Sequence, residues 1–275
     1  MNYRHIYHAG NFADVVKHAL LIVLLQFMQK KAAPFCYIDT HAGQGVYALN
    51  SAEAQKTQEY LAGVARFLQA SQVHAAPLKF FRELLQNPAF FSNDCMIQYP
   101  GSPFLAQRLL RVQDVMILNE RHPEVYVQLK AHCADQAIHQ RDAYEFLPAV
   151  VPPTAKRGLV LIDPPFEKKT EISDMIAALE KSLNRWPQGV YFIWLPITGV
   201  HYRDYLTQLH QLPVEESLQI EFWVDELSNE ERGLLGCAFY LINPPWQFKE
   251  TVEPLLQELW NILREPGKGQ LVIRD

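Results

Sequence analysis

The chain has 275 residues, with 30 acidic against 25 basic side chains and a formal charge of −5. Apolar residues make up 49% and charged residues 20%, which excludes a disordered chain and leaves ample material for a sizeable core. The mild acidity excludes a partner held by bulk positive charge, although a local basic patch can still receive nucleic acid.

Tyr3, Arg4 and His5 precede the first predicted helix. By composition they form a solvated tail, yet the same mixture suits a flexible flap. In a flap Tyr3 would stack on a base, and Arg4 or the later Lys17 would meet phosphate, with Lys168 and Lys169 extending the patch. His5 and His8 lack a Cys or carboxylate set around them, so no metal is expected. A buried helix is predicted from about Phe12 to Gln29. Its pure apolar run, residues 19–25, is too short for a membrane span. Asp14 and Gln29-Lys30-Lys31 also stand where a signal peptide needs basic and small residues.

Further along, short apolar runs alternate with helical stretches. Strands are predicted at residues 35–39, 115–119, 137–140, 159–162, 190–195, 218–224 and 235–242. Helices are predicted at 104–111, 124–133, 143–150, 171–184 and 202–210. Continuously apolar early strands indicate a parallel sheet covered on both faces, and the polar loop 225–233 suits an antiparallel pair. The reading is a doubly wound α/β sheet of about seven strands with an antiparallel edge, in one domain spanning 1–275. Residues 48–92 carry only helix-like text and form a helical insertion after the first strand.

Four strand ends carry chemistry. The first runs into Asp39-Thr40-His41-Ala42-Gly43-Gln44-Gly45, where Gly43 and Gly45 allow a tight turn or a close approach of backbone to a nucleotide-like ligand. The spacing GxG, with no third glycine, argues against a nicotinamide-binding fingerprint. The second ends in Glu120, placed either as a surface residue or to accept both hydroxyls of a ribose. The third leads to Asp142, a natural cap for the next helix that can also face an adenine amine. The fourth ends in Asp163-Pro164-Pro165-Phe166. Two prolines stiffen the backbone so that the Asp163 carboxylate and the Pro164 carbonyl face one point. Two acceptors aimed at an exocyclic amine satisfy its hydrogens and direct its lone pair at an electrophile, while Phe166 offers a ring face to the base.

Asp-Pro-Pro-aromatic after a glycine-bearing first loop resembles the S-adenosylmethionine-dependent amino-methyltransferases of nucleobases. More narrowly, Tyr3-Arg4-His5, His8-Ala9-Gly10-Asn11, Asp14, Lys17-His18, Asp39-Thr40-His41-Ala42-Gly43, Tyr99-Pro100-Gly101-Ser102-Pro103, Asp163-Pro164-Pro165 and Asn243-Pro244-Pro245-Trp246 resemble the RlmJ family over nearly the whole chain. The resemblance implies a Rossmann-like methyltransferase that modifies N6 of one adenosine in 23S ribosomal RNA. It implies cofactor contacts at His18, His41, Ser102, Glu120, Asp142, Ala143 and Asp163, with Asp163 facing the amine. Phe166 departs from the commoner tyrosine.

The substrate expected is RNA outside the assembled ribosome, acted on by a monomer. A DNA adenine methyltransferase and a non-catalytic RNA-binding protein are the rival readings. Cys36, Cys95, Cys133 and Cys237 form no close pair, which points to a reducing, cytoplasmic setting and away from a membrane. Ser102 before Pro103 also has a plain role as a helix N-cap. Asn243-Pro244-Pro245-Trp246 copies the catalytic form, but on an antiparallel strand its end faces away from the cofactor loop. Asn243 is therefore expected in a turn, with Trp246 packing apolar surface.

Overall fold

The computed structural model describes residues 4–199, 201–226 and 233–275; Tyr3 lies outside them. The main sheet has eight strands: β1 Cys36–Asp39, β2 Val115–Asn119, β3 Ala137–His139, β4 Gly158–Ile162, β5 Val190–Ile197, β6 Ser217–Trp223, β7 Gly236–Ile242 and β8 Gln270–Arg274. Their order across the sheet is β3-β2-β1-β4-β5-β7-β6-β8. The first five are mutually parallel, and β7 runs antiparallel to both β5 and β6. Strand order reverses between β1 and β4, so a crevice opens above their carboxyl ends.

The predicted strands all form. The eighth, β8, was not anticipated; it pairs antiparallel with the outer edge of β6. Neither was the helix before it, Phe248–Leu263. Covering an edge in this way removes a row of unpaired backbone groups.

Helix α1 (Phe12–Gln29) lies at the heart of the fold, with every residue except Gln26 and Gln29 buried. By length and composition it could cross a membrane, but it is mostly buried within the protein. A helix apolar on all sides requires surroundings on all sides. The sheet supplies one, and the helices of residues 52–85 with Phe248–Leu263 supply the others. Helices α2 (Ala52–Thr57), α3 (Val64–Gln69), α4 (Ala76–Leu85), α5 (Ser102–Leu109) and α6 (Pro123–His132) follow in the chain, and the opposite face of the sheet buries α7 (Ala143–Val150), α8 (Glu171–Arg185) and α9 (Tyr202–His210).

The segment 48–92 is largely helical, as expected, but the stretch 59–69 is broken. A 3-10 turn Glu59–Leu61 and a helix Val64–Gln69 meet at Gly63. A Cβ on Gly63 would lie 2.1 Å from the Gly10 carbonyl oxygen, so the break lets the N-terminal segment pass against the insertion. Two short ribbons close the insertion: Val46–Ala48 pairs with Gln98–Pro100, and Phe91–Ser92 with Cys95–Met96.

Residues 4–11 are not a loose flap. His5–Tyr7 form a 3-10 turn with Ile6 buried, and the segment is tied to the insertion. His8 Nδ1 meets Glu59 at 2.9 Å, Arg4 pairs with Glu53, and the Thr57 hydroxyl donates to the Tyr7 carbonyl.

Asn243 turns the chain at the far end of β7, as expected. It adopts φ +55° and donates through Nδ2 to the carbonyls of Pro187 and Gly189 at 2.6 and 2.7 Å. Trp246 corrects the expectation: it is 83% exposed and covers no apolar surface. Ending a helix lead-in of two prolines, it stands clear of the core.

Candidate active site

Above the crevice between β1 and β4 lies a cavity of about 920 Å³, of a size that holds a cofactor and a base together. Its lining joins residues far apart in the sequence: the N-terminal turn, α1, the loop after β1, and the ends of β2, β3, β4 and β5. Apart from Tyr3, which is not described, every predicted site residue lines it except Gly45, Phe166 and Lys169.

The loop after β1 is shaped from below. Asp39, fully buried, accepts from Tyr37 Oη at 2.8 Å, Ser102 Oγ at 2.7 Å and the His41 amide at 3.2 Å. Burial lifts its carboxyl to about 6 despite these donors. Gly43 adopts φ +64°, and a Cβ there would meet the Tyr47 hydroxyl at 2.0 Å, so only glycine fits. Ser102 is not the N-cap of its helix: Gly101 is, and Ser102 stands one position inside, its hydroxyl spent on Asp39.

At the end of β2, Glu120 accepts the Gly43 amide at 3.0 Å on Oε2 and the His122 amide at 2.7 Å on Oε1. Each oxygen keeps a lone pair for a further donor such as a ribose hydroxyl. Asp142 does cap α7, accepting the Tyr144 amide at 3.0 Å, and its second oxygen pairs with Arg121 at 2.7 Å. Tyr144 itself donates to Glu171 at 2.6 Å, which ties the β3 end to the first turn of α8.

Two histidines are held neutral. His18 Nδ1 and the Tyr99 hydroxyl share a hydrogen bond at 2.7 Å, and burial pushes the His18 pKa down to about 3. For His41, burial pushes it to about 4. The Thr40 hydroxyl donates to the Leu161 carbonyl at 3.0 Å, so His41 Nδ1 is the donor in its 2.8 Å contact with Thr40. Nε2 of His41 is thus left as an acceptor.

Asp163 ends β4 in the cavity floor, and its closest partner is Lys17. The Lys17 ammonium, 4% exposed, donates to Asp163 Oδ2 at 2.5 Å and to Asp14 Oδ1 at 2.8 Å. This corrects the sequence reading of Lys17 as a phosphate contact: it is a buried member of an ionic triad. Burial opposes its charge, but the two carboxylates outweigh that and hold its pKa well above the usual lysine value. Asp14 Oδ2 in turn accepts from the Gly10 amide and from His5 Nε2, each at 2.9 Å. His5 is therefore also engaged inside the protein, and Arg4, at the rim, pairs with acids of its own chain.

Phe166 departs from its expected place. With φ +50° it turns its ring onto Tyr205 of α9, centroids 5.6 Å apart and planes at 15°, with Trp194 at 6.1 Å. Pro164, Pro165 and Lys168 line the cavity beside it, and Lys169 does not. Asp14, Asp39 and Trp194 were absent from the predicted site. Asp39 had a legible signal, an acid closing a strand in the same way as Glu120; Trp194, inside β5, had none.

Comparisons with known proteins give this fold a family. The family model described as RsmJ: Ribosomal RNA large subunit methyltransferase D, RlmJ matches residues 32–274. Ribosomal RNA large subunit methyltransferase J of Escherichia coli (strain K12) is 34% identical, covering 99% of this chain and 98% of its own. The namesake from Haemophilus influenzae (strain Rd) is 31% identical with the same coverage. A crystal structure of a Legionella pneumophila (strain Philadelphia 1) protein, 31% identical, superposes with a TM-score of 0.88 over 98% of both chains. Similarity of this degree runs through the crevice, the insertion and the antiparallel edge alike, and it makes the chain a member of the RlmJ family of ribosomal RNA large subunit methyltransferases.

Proposed function

We propose that the chain transfers a methyl group from S-adenosylmethionine to N6 of an adenosine in 23S ribosomal RNA, with Asp163 as the residue that receives the amine. The observation that carries this reading is the placement of Asp163. It closes β4 beside β1, in one cavity with the Glu120 and Asp142 carboxylates and the Gly43 turn. These residues fit the cofactor: two acids at successive strand ends suit ribose hydroxyls and an adenine amine, and the glycine turn admits a close approach of backbone.

The cofactor, when bound, supplies an electrophilic methyl group on a sulfonium centre. The chain's own residues do the rest. Lys17 occupies Oδ2 of Asp163 and fixes the carboxylate, which leaves Oδ1 to accept one hydrogen of the amine. The Pro164 carbonyl is the second acceptor in this reading, and the stiff Pro164-Pro165 turn keeps the two in register. Orienting the lone pair toward the methyl group is the main contribution, since well-placed reactants need no covalent enzyme adduct. An unpaired or extruded adenosine is required, because N6 is engaged in a paired duplex.

The chain acts, in this proposal, as one methyltransferase unit with residues 48–92 inserted, as a cytoplasmic monomer, on RNA outside the assembled ribosome. The test is labelled-methyl transfer to unmodified 23S RNA and to a DNA of matching sequence, followed by mapping of the modified base. N6-methyladenosine at one site in RNA is expected. Equal methylation of the DNA would favour the rival polymer, and cofactor binding without transfer would leave only a binding protein.

A further inference from the structure

We propose that Asp14 sets the charge of the transfer site: by holding Lys17 from behind, it leaves the Asp14–Lys17–Asp163 triad with one net negative charge to meet a sulfonium. The inference rests on the reading of the cavity as the S-adenosylmethionine site. Asp14 is 2% exposed and lies in the first turn of α1, three residues before Lys17. Its Oδ1 takes the Lys17 ammonium at 2.8 Å, beside the bond from the same ammonium to Asp163.

Electrostatics gives this second carboxylate its purpose. Lys17 paired with Asp163 alone would form a neutral ion pair and cancel the negative charge beside the reacting amine. Burial works against the charge on Asp14, but His5 and Lys17 outweigh it and hold its carboxyl well below the usual range. All three members are therefore ionised and the triad itself sums to −1; His5, bonded to Asp14 Oδ2, is the same residue in the wild type and the variants. The neighbouring imidazoles of His18 and His41 are neutral near pH 7 and leave that sum unchanged. Asp39, bound by Tyr37, Ser102 and the His41 amide, adds its own negative charge from β1 in the wild type and the variants alike, so it does not enter the comparison.

One negative charge suits the reaction from start to finish. The N6 lone pair forms the new C–N bond as the C–S bond breaks and returns its electron pair to sulfur. Positive charge thus passes from sulfur to N6 and stays in the site until a proton leaves N6 for water. A triad of fixed charge −1 faces a charge of +1 throughout, without reorganisation. Asp14 touches neither base nor cofactor in this scheme, so it is a positioning residue.

The test compares affinities for S-adenosylmethionine and for S-adenosylhomocysteine, which lacks the sulfonium charge, by calorimetry at pH 8. Asp14→Asn is expected to lower the preference for the charged ligand about tenfold, because it makes the triad neutral at nearly constant shape. The double variant D14N/K17Q removes one charge of each sign. It is expected to return to the wild-type preference while transfer stays low.

An unchanged ratio in Asp14→Asn would overturn the proposal. The double variant decides the matter alone should the single one not fold. If Asp14 stood outside the charge balance, removing the Lys17 charge would raise the preference above wild type, and that result overturns the proposal too. Loss of all cofactor binding by the wild-type protein would instead sink the reading of the cavity.

Discussion

Asp163 has two carboxylate oxygens, and Lys17 occupies one of them. What remains is a single directed acceptor, and its removal should separate chemistry from binding. Asp163→Ala is expected to lower turnover by about 10²–10³-fold or more, while cofactor affinity falls only about tenfold. Single-turnover transfer and calorimetry on the same preparation check it; a variant retaining most of its turnover would take Asp163 out of the mechanism. Asn243 supplies the control, since it heads an Asn-Pro-Pro-Trp copy of the same form. It lies at the opposite edge of the sheet, bonded to the Pro187 and Gly189 carbonyls. Asn243→Ala therefore loses two hydrogen bonds and places alanine at φ +55°, a cost of about 1–3 kcal/mol. Turnover per folded molecule should not change. A larger catalytic loss at Asn243 than at Asp163 would contradict the strand order.

Among the elements, the N-terminal segment differs most from what its composition suggests. It was legible as polar, aromatic and terminal, but its docking partners, Glu53, Thr57 and Glu59, lie some 50 positions away. No local pattern announces such contacts. The same distance hid the role of Lys17, whose partner Asp163 is 146 residues further on. Strand ends behaved differently: Glu120, Asp142 and Asp163 were legible because topology alone brings parallel strand ends together. The helix Phe248–Leu263 was obscured by Pro254 within it and by Pro244-Pro245 before it. Deleting residues 1–8 takes Ile6 from the core and leaves Asp14 without His5. The expected cost is about 2 kcal/mol, or about 5 °C in thermal midpoint, together with loss of RNA methylation. A melt that does not move would return the segment to the status of a loose flap. The β4–α8 loop invites a similar test, because Phe166 stacks on Tyr205 of α9. If the ring serves to brace the loop, Tyr205→Ala should reproduce the fall in turnover of Phe166→Ala; if it stacks on the substrate base, Tyr205→Ala should leave transfer near wild type.

For the whole molecule, the buried groups around the cavity make stability depend on acidity in a direction that can be worked out. His18 and His41 titrate near 6.5 when unfolded, but burial holds them to about 3 and about 4 in the fold. The unfolded chain thus takes up protons first, so the stability these histidines contribute is complete above about 6.5 and declines as the pH falls. Asp39 acts in the opposite sense. Its carboxyl protonates near 6 when folded but only near 3.8 when unfolded, so acid relieves a buried charge. His8, raised by its contact with Glu59, also works in that sense, although at a half-exposed site where solvent screens the pair. Two buried imidazoles outweigh one carboxyl. Between pH 7 and pH 5 each histidine loses about 2 kcal/mol and Asp39 returns about 1 kcal/mol, for a net fall of about 2–3 kcal/mol. Asp14, held below the usual range, extends the loss beneath pH 4. Urea unfolding at pH 7, 6 and 5 measures the slope, and His18→Gln should flatten it, since an amide neither titrates nor gains charge. A stability that stays level or rises from pH 7 to 5 would mean that the two histidines are not held neutral in the fold.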